Sequence, residues 1–148
     1  MITFASQTDP NITTARQAPA SKITTLHMAK DILVVDDDKL IAQCISDALE
    51  DEGYEVRVFH DGASALLDIV RLPPGLMLLD VTMPILIGDD LLRYLRQHGF
   101  VELPIIMMTA GSNPENFLAD GATDILPKPF EICDLLDKVA RYLPDAPP

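Results

Sequence analysis

The sequence predicts an open α/β domain, a doubly wound (βα)5 parallel sheet, and three observations carry that prediction. Short apolar runs alternate with amphipathic helical patterns five times between residues 31 and 143. Residues 32–35, 76–79 and 105–108 are continuously apolar, as expected of parallel strands covered on both faces. Four of the five run ends deliver carboxylates, a hydroxyl or an ammonium, and the carboxyl ends of the strands are where open α/β sheets place their sites.

Each element follows from local pattern. Residues 32–35 make the first strand. In the helix after it, Leu40, Ile41, Cys44, Ile45, Ala48 and Leu49 are expected on one face, and Gly53 ends it. Residues 54–59 alternate Tyr54, Val56 and Val58 with Glu55 and Arg57, the pattern of a half-exposed edge strand. Asp61 is placed to cap a second helix that runs to about Val70, and Pro73-Pro74-Gly75 closes the loop after it. Strands at 76–79 and 105–108 put Met77, Met107 and Met108 in the core, with a helix at about 88–97 between them. A short helix is expected at 114–119, and Ile125-Leu126 is a minimal last strand. In the closing helix Ile132, Leu135, Leu136, Val139, Ala140 and Leu143 recur at helical spacing.

Composition bounds the function. A chain of 148 residues, 48% hydrophobic and 23% charged, is long enough for one well-packed domain. No apolar run reaches the ~18 residues that a membrane-spanning helix needs, and the first residues show no basic stretch leading into an apolar one, so a secretory signal is not expected. The net charge of −12 opposes direct binding to nucleic acid or to anionic lipid. Residues 1–29 differ from the rest: up to Lys30, Asp9 is the only acid against Arg16, Lys22 and Lys30. That stretch reads as an N-terminal extension, a linker or a cloning remnant. Residues 30–144 read as the domain and 145–148 as a tail, so the chain is expected to be either a stand-alone protein or one domain of a larger one. Cys44 and Cys133 are expected to be buried free thiols in a reducing cytoplasm. His27, His60 and His98 share no metal-ligand spacing with each other or with the cysteines.

The chemistry concentrates on Asp36, Asp37 and Asp38 after the first strand, Asp80 after the third, Thr109 after the fourth and Lys128-Pro129 after the fifth. Clustered carboxylates repel one another unless a cation sits among them. All-oxygen ligation suits Mg²⁺. A carboxylate can attack phosphorus to form an acyl phosphate, while a metal and a lysine neutralise the phosphoryl oxygens and a threonine hydroxyl bonds to one of them. Each acid also has a plain structural use as a helix cap, and Asp38 is the member of the triplet best assigned to capping or solvent. Lys128 is the more specific signal, because a lysine near a buried strand end needs an anionic partner.

The segments 32-ILVVDDD-38, 79-LDVTMP-84, 105-IIMMTA-110 and 128-KPF-130 resemble the receiver domains of bacterial two-component response regulators, over about residues 30–144. The resemblance implies a flavodoxin-like, five-stranded parallel sheet in the order 2-1-3-4-5. It implies that Asp80 is the phosphoacceptor and that Mg²⁺ is held by Asp37, Asp80 and the Thr82 backbone carbonyl, with Asp36 helping through water. It also implies that Lys128 pairs with the phosphoryl group, that Thr109 moves to hydrogen-bond it, and that the Lys128-Pro129 bond is cis. The implied partners are a sensor histidine kinase or histidine phosphotransfer protein and a downstream protein target. The implied role is signalling rather than that of an enzyme, with self-catalysed phosphoryl transfer and loss.

Three departures qualify this. Ile125 stands at a switch position that is usually aromatic, so an aromatic rotamer switch cannot operate there. Ile85-Leu86-Ile87-Gly88 replaces the usual loop ending in Asp-Gly, and the span from Thr109 to Lys128 is short, which predicts a clipped fourth helix and leaves dimerisation open. Two alternatives stand beside the main reading. One is a pseudo-receiver that binds a partner without phosphorylation. The other is a Mg²⁺-dependent phosphohydrolase similar to the haloacid-dehalogenase-like superfamily, suggested by Asp36-x-Asp38. Against the second, Leu40 occupies a position where that superfamily wants Thr or Val, and Asp80 would have no role.

Overall fold

The structure, a computed structural model, describes residues 31–83, 88–111 and 113–143. The expectations for residues 1–29, for Ile85-Leu86-Ile87 and for the tail lie outside the described residues. Five strands and five helices alternate: β1 (Asp31–Val35), α1 (Lys39–Asp51), β2 (Glu55–Phe59), α2 (Gly62–Arg71), β3 (Leu76–Asp80), α3 (Gly88–Gln97), β4 (Ile105–Thr109), α4 (Glu115–Ala119), β5 (Asp124–Pro127) and α5 (Ile132–Tyr142). The strands form one sheet in the order β2-β1-β3-β4-β5, every pair parallel.

Side chains alternate across this sheet with period two, and the alternation sorts the core into two layers. Leu33, Val35, Met77, Leu79, Ile105 and Met107 face Ala65 and Ile69 of α2 and Leu91, Leu92 and Leu95 of α3. Ile32, Val34, Leu76, Leu78, Ile106 and Met108 face Ala42, Ile45 and Leu49 of α1 and Leu135 and Val139 of α5. All of these side chains are essentially inaccessible. Removing one such side chain from water contributes about 1.5–3 kcal/mol before the entropy of ordering is counted. Two-sided burial explains why β3 and β4 carry no polar residue until their last position.

The helix starts obey capping chemistry. Asp38 is the N-cap of α1 and accepts from the backbone N–H of Leu40 at 3.0 Å and of Ile41 at 3.1 Å. Asp61 caps α2 through Ser64 N at 2.7 Å. Gly53 follows α1 with a φ of 96°, a left-handed turn that favours glycine. On edge strand β2 Arg57 is not simply solvated: it pairs with the buried Asp31 at 2.7 Å and with Asp68 of α2, and it donates to the Leu72 carbonyl at 2.8 Å.

Three expectations about burial are corrected. The inward face of α1 is Ala42, Ile45, Ser46 and Leu49, while Leu40 is 74% exposed and Cys44 is exposed. In α5, Leu135 and Val139 are buried, whereas Ile132 is 39% exposed and Ala140 is also exposed. Each helix meets one sheet face rather than a bundle, so its buried stripe is narrower than its apolar one. Cys133, expected to be buried, is exposed at the start of α5. The fourth helix is short as expected, five residues with none buried.

Candidate functional site

Strand register builds the site. Val35 lies level with Leu79, Asp80 with Met108 and Thr109 with Pro127, so Asp36, Asp80, Thr109 and Lys128 arrive together at one rim of the sheet. Asp80 and Thr109 are the last residues of their strands, and Asp36 and Lys128 come immediately after theirs. Asp36, Asp80 and Thr109 are buried, Lys128 is half-buried and Asp37 is exposed.

Lys128 Nζ donates to Asp80 Oδ1 at 2.8 Å and lies 3.5 Å from Asp36 Oδ2. Asp36 Oδ1 accepts from the Asp38 N–H at 2.9 Å, while its buried Oδ2 has no hydrogen-bond partner. One carboxylate oxygen from each of Asp36, Asp37 and Asp80 falls within 4.8 Å of the others, the one such group among the described residues. This donor set fits a hard divalent cation, since all three ligand atoms are carboxylate oxygens and a buried one is left unsatisfied.

The electrostatics agree with that fit. Burial holds the Asp80 carboxyl above its ordinary value, and the Asp36 and Asp37 charges push it the same way against the Lys128 hydrogen bond. Burial also raises Asp36, opposed by the Asp38 N–H and by Lys128. For Lys128 burial pulls downward, but its bond to Asp80 and the charges of Asp36 and Asp80 outweigh it, so the ammonium is held above its ordinary value.

Thr109 Oγ1 accepts from the Gly111 N–H at 2.9 Å, and the Thr109 carbonyl accepts from the Lys128 N–H at 2.7 Å. Pro127 has no N–H to offer in the ladder, so Lys128 takes that bond and is drawn against the end of β4. The Lys128-Pro129 bond is cis. Beside Thr109 a cleft of about 590 Å³ opens, bounded by Val81, Thr82, Gly111 and Phe117 among others. Ile125 is buried among Leu33, Met107 and their neighbours. Asp38 is committed to capping α1, which removes the second acid that the phosphohydrolase motif requires.

The family profile described as response regulator receiver domain matches residues 32–140. The chain belongs to the response regulator receiver domain family. Among its relatives, response regulator MprA of Mycobacterium bovis is 40% identical over 119 residues, covering 78% of this chain and 51% of that protein. MprA of Mycobacterium ulcerans matches equally. The receiver domain thus spans about half the length of these relatives. Among solved structures, the receiver domain of NtrX from Brucella abortus superposes with a TM-score of 0.71 at 34% identity, covering 77% of this chain and 98% of that one. The receiver domain of the Francisella response regulator 1452 gives 0.73 at 36%, covering 78% and 97%.

Motif reading assigns no role to two residues that shape the receiver site. A Cβ on Gly88 would lie 2.2 Å from the Asp80 carbonyl oxygen, so α3 can begin directly behind Asp80 only with glycine there. A glycine opening a helix straight after an apolar loop is the signal that could have found it. His60 donates from Nδ1 to the Asp36 carbonyl at 3.0 Å, and no sequence pattern announces that contact.

Proposed function

We propose that this receiver domain accepts a phosphoryl group on Asp80 from a phosphohistidine of a sensor histidine kinase or a histidine phosphotransfer protein. The observation that carries the reading is the Asp80–Lys128 pair, an ammonium bonded at 2.8 Å to a carboxylate that shares its pocket with two more. An Asp80 oxygen attacks phosphorus, and the phosphorus–nitrogen bond of the donor breaks as the acyl phosphate bond forms. The histidine nitrogen leaves with the bonding pair and a proton restores its neutral ring.

Asp36, Asp37, Asp80 and the Thr82 backbone carbonyl would hold Mg²⁺. When bound, Mg²⁺ neutralises charge on the phosphoryl oxygens. Lys128 stays charged across neutral pH, its position above the ordinary lysine value ensuring this, and it supplies a mobile donor to another oxygen. Thr109 can turn its hydroxyl proton toward the phosphoryl group, and the cleft beside it leaves room for that turn. Thr109 thereby biases a two-state equilibrium of the surface around α4, β5 and α5, which a downstream protein target reads. Ile125, lacking a ring, follows this shift only as a packing residue.

The domain catalyses its own phosphorylation and, with water as acceptor, its own dephosphorylation, but its role is signalling. Residues 30–144 constitute the receiver, preceded by the extension 1–29 and followed by the tail 145–148. The cytoplasm is the compartment that supplies the ATP from which such kinases draw phosphoryl groups, and we place the protein there. The net charge of −12 opposes direct contact with nucleic acid.

The test is the intact mass after incubation with a small-molecule phosphodonor and Mg²⁺, beside Asp80→Asn. The expected outcome is a gain of one phosphoryl group that needs Mg²⁺ and is absent from the variant. No gain on folded protein would favour the pseudo-receiver, a phosphorylation-independent interaction module.

A further inference from the structure

The Asp36–Asp37 peptide joins two of the three carboxylates that converge at the site, and its orientation sets where both of them point. Three contacts grip this stretch. Asp36 N–H donates to the Phe59 carbonyl at 3.0 Å, Asp38 N–H donates to Asp36 Oδ1 at 2.9 Å, and the His60 ring meets the Asp36 carbonyl at 3.0 Å. A carbonyl oxygen only accepts, so Nδ1 of His60 carries the proton. The carbonyl that His60 holds belongs to the peptide linking Asp36 to Asp37. The first bond fixes the peptide before Asp36 and the second fixes one side-chain oxygen. His60 holds the plane between the two ligands.

That plane matters because the two carboxylates differ in freedom. Asp36 is fully buried while Asp37 is exposed. An exposed ligand is positioned mainly by its backbone, so rotation of the 36–37 peptide would swing Asp37 away from Asp36 and Asp80. Groups that orient metal ligands are part of a metal site, and their loss weakens metal binding.

We propose that His60 is a positioning residue for divalent-cation binding, acting through the Asp36–Asp37 peptide and not as a ligand. The inference rests on the Mg²⁺ reading of the Asp36, Asp37 and Asp80 group. His60→Ala removes the donor, whereas His60→Asn keeps an N–H close to the place of Nδ1. A hydrogen bond of ordinary net worth corresponds to about a fivefold change in Kd.

The experiment is calorimetric titration of the full chain with Mg²⁺ alone, for the wild type and both variants, with thermal melts and amide exchange at Asp37 measured in parallel. Weakening of about fivefold in His60→Ala, near-wild-type affinity in His60→Asn and faster Asp37 exchange only in the alanine variant would support the proposal. Unchanged Kd in His60→Ala, with or without a lowered melting temperature, would overturn it and leave His60 a structural residue. Equal weakening in both variants would overturn it as well, because the donor would then not be what counts. A wild type that takes up no Mg²⁺ would refute the metal reading itself, an outcome distinguishable from the others.

Discussion

Gly88 stands where α3 meets the last carbonyl of β3, and backbone atoms, not flexible side-chain ends, occupy the space that a Cβ would need: the Asp80 oxygen at 2.2 Å and Val81 Cα at 2.9 Å. Overpacking typically costs about 1–3 kcal/mol, and a clash with backbone belongs at the upper end. Gly88→Ala should therefore lose about 3 kcal/mol of stability in chemical denaturation. A loss below about 0.5 kcal/mol would show that α3 slides outward freely and that Gly88 does not position Asp80. The residue scale also shows what a sequence can and cannot carry. Asp36, Asp80, Thr109 and Lys128 were legible because strand ends are countable and their chemistry is complementary. Gly88 is marked only by its place at a helix start after an apolar stretch, and the contact of His60 with the Asp36 carbonyl across the fold leaves no trace in local pattern.

Among the elements, α5 is tied to the sheet by a polar contact as well as by its apolar stripe. Asp124, at the start of β5, accepts from the Tyr142 hydroxyl at 2.8 Å and pairs with Lys138 at 3.2 Å and Arg141 at 3.6 Å. Burial alone would raise this carboxyl, but the Ile125 N–H, the Tyr142 hydroxyl and Lys138 together hold it below its ordinary value. A carboxylate depressed by folding contributes stability that is present above the unfolded value of about 3.9 and lost as pH falls through the folded one. Asp124→Asn should then lower the melting temperature at pH 7 by about 4 °C, as expected for about 1 kcal/mol. The gap between variant and wild type should close below about pH 4. Thermal melts across pH decide this, and a gap of equal size in strong acid would mean that the charge on Asp124 contributes nothing. Helix existence and order were readable from periodicity here, as was the shortness of α4. Helix faces were less so. Leu40 and Ile132 fit an apolar stripe by spacing, yet they sit at helix starts close to the site, beyond the reach of the sheet that buries Leu49 and Leu135.

Charge is a property of the whole chain, and it sets a test of how the site is approached. The chain carries −12, and the carboxylates of Asp36, Asp37 and Asp80 stand at the rim where a donor must arrive. With Mg²⁺ saturating, three carboxylates, one ammonium and one divalent cation leave the pocket itself near neutral. The long-range field of the chain remains negative and repels an anionic phosphodonor. That repulsion extends over a Debye length of about 30 Å at 0.01 M salt and about 10 Å at 0.1 M. Raising ionic strength between those values should therefore speed phosphorylation by a small anionic donor such as acetyl phosphate, by about two- to fivefold in apparent second-order rate. A protein donor with a basic docking face should respond in the opposite sense, because its attraction to the same field is screened. The rates are read by intact mass at saturating Mg²⁺. A small-donor rate that falls as salt rises would mean that the local field of Lys128 and the metal, rather than the net charge, governs approach. The acidity of the chain would then concern solubility and partner choice but not the chemistry at Asp80.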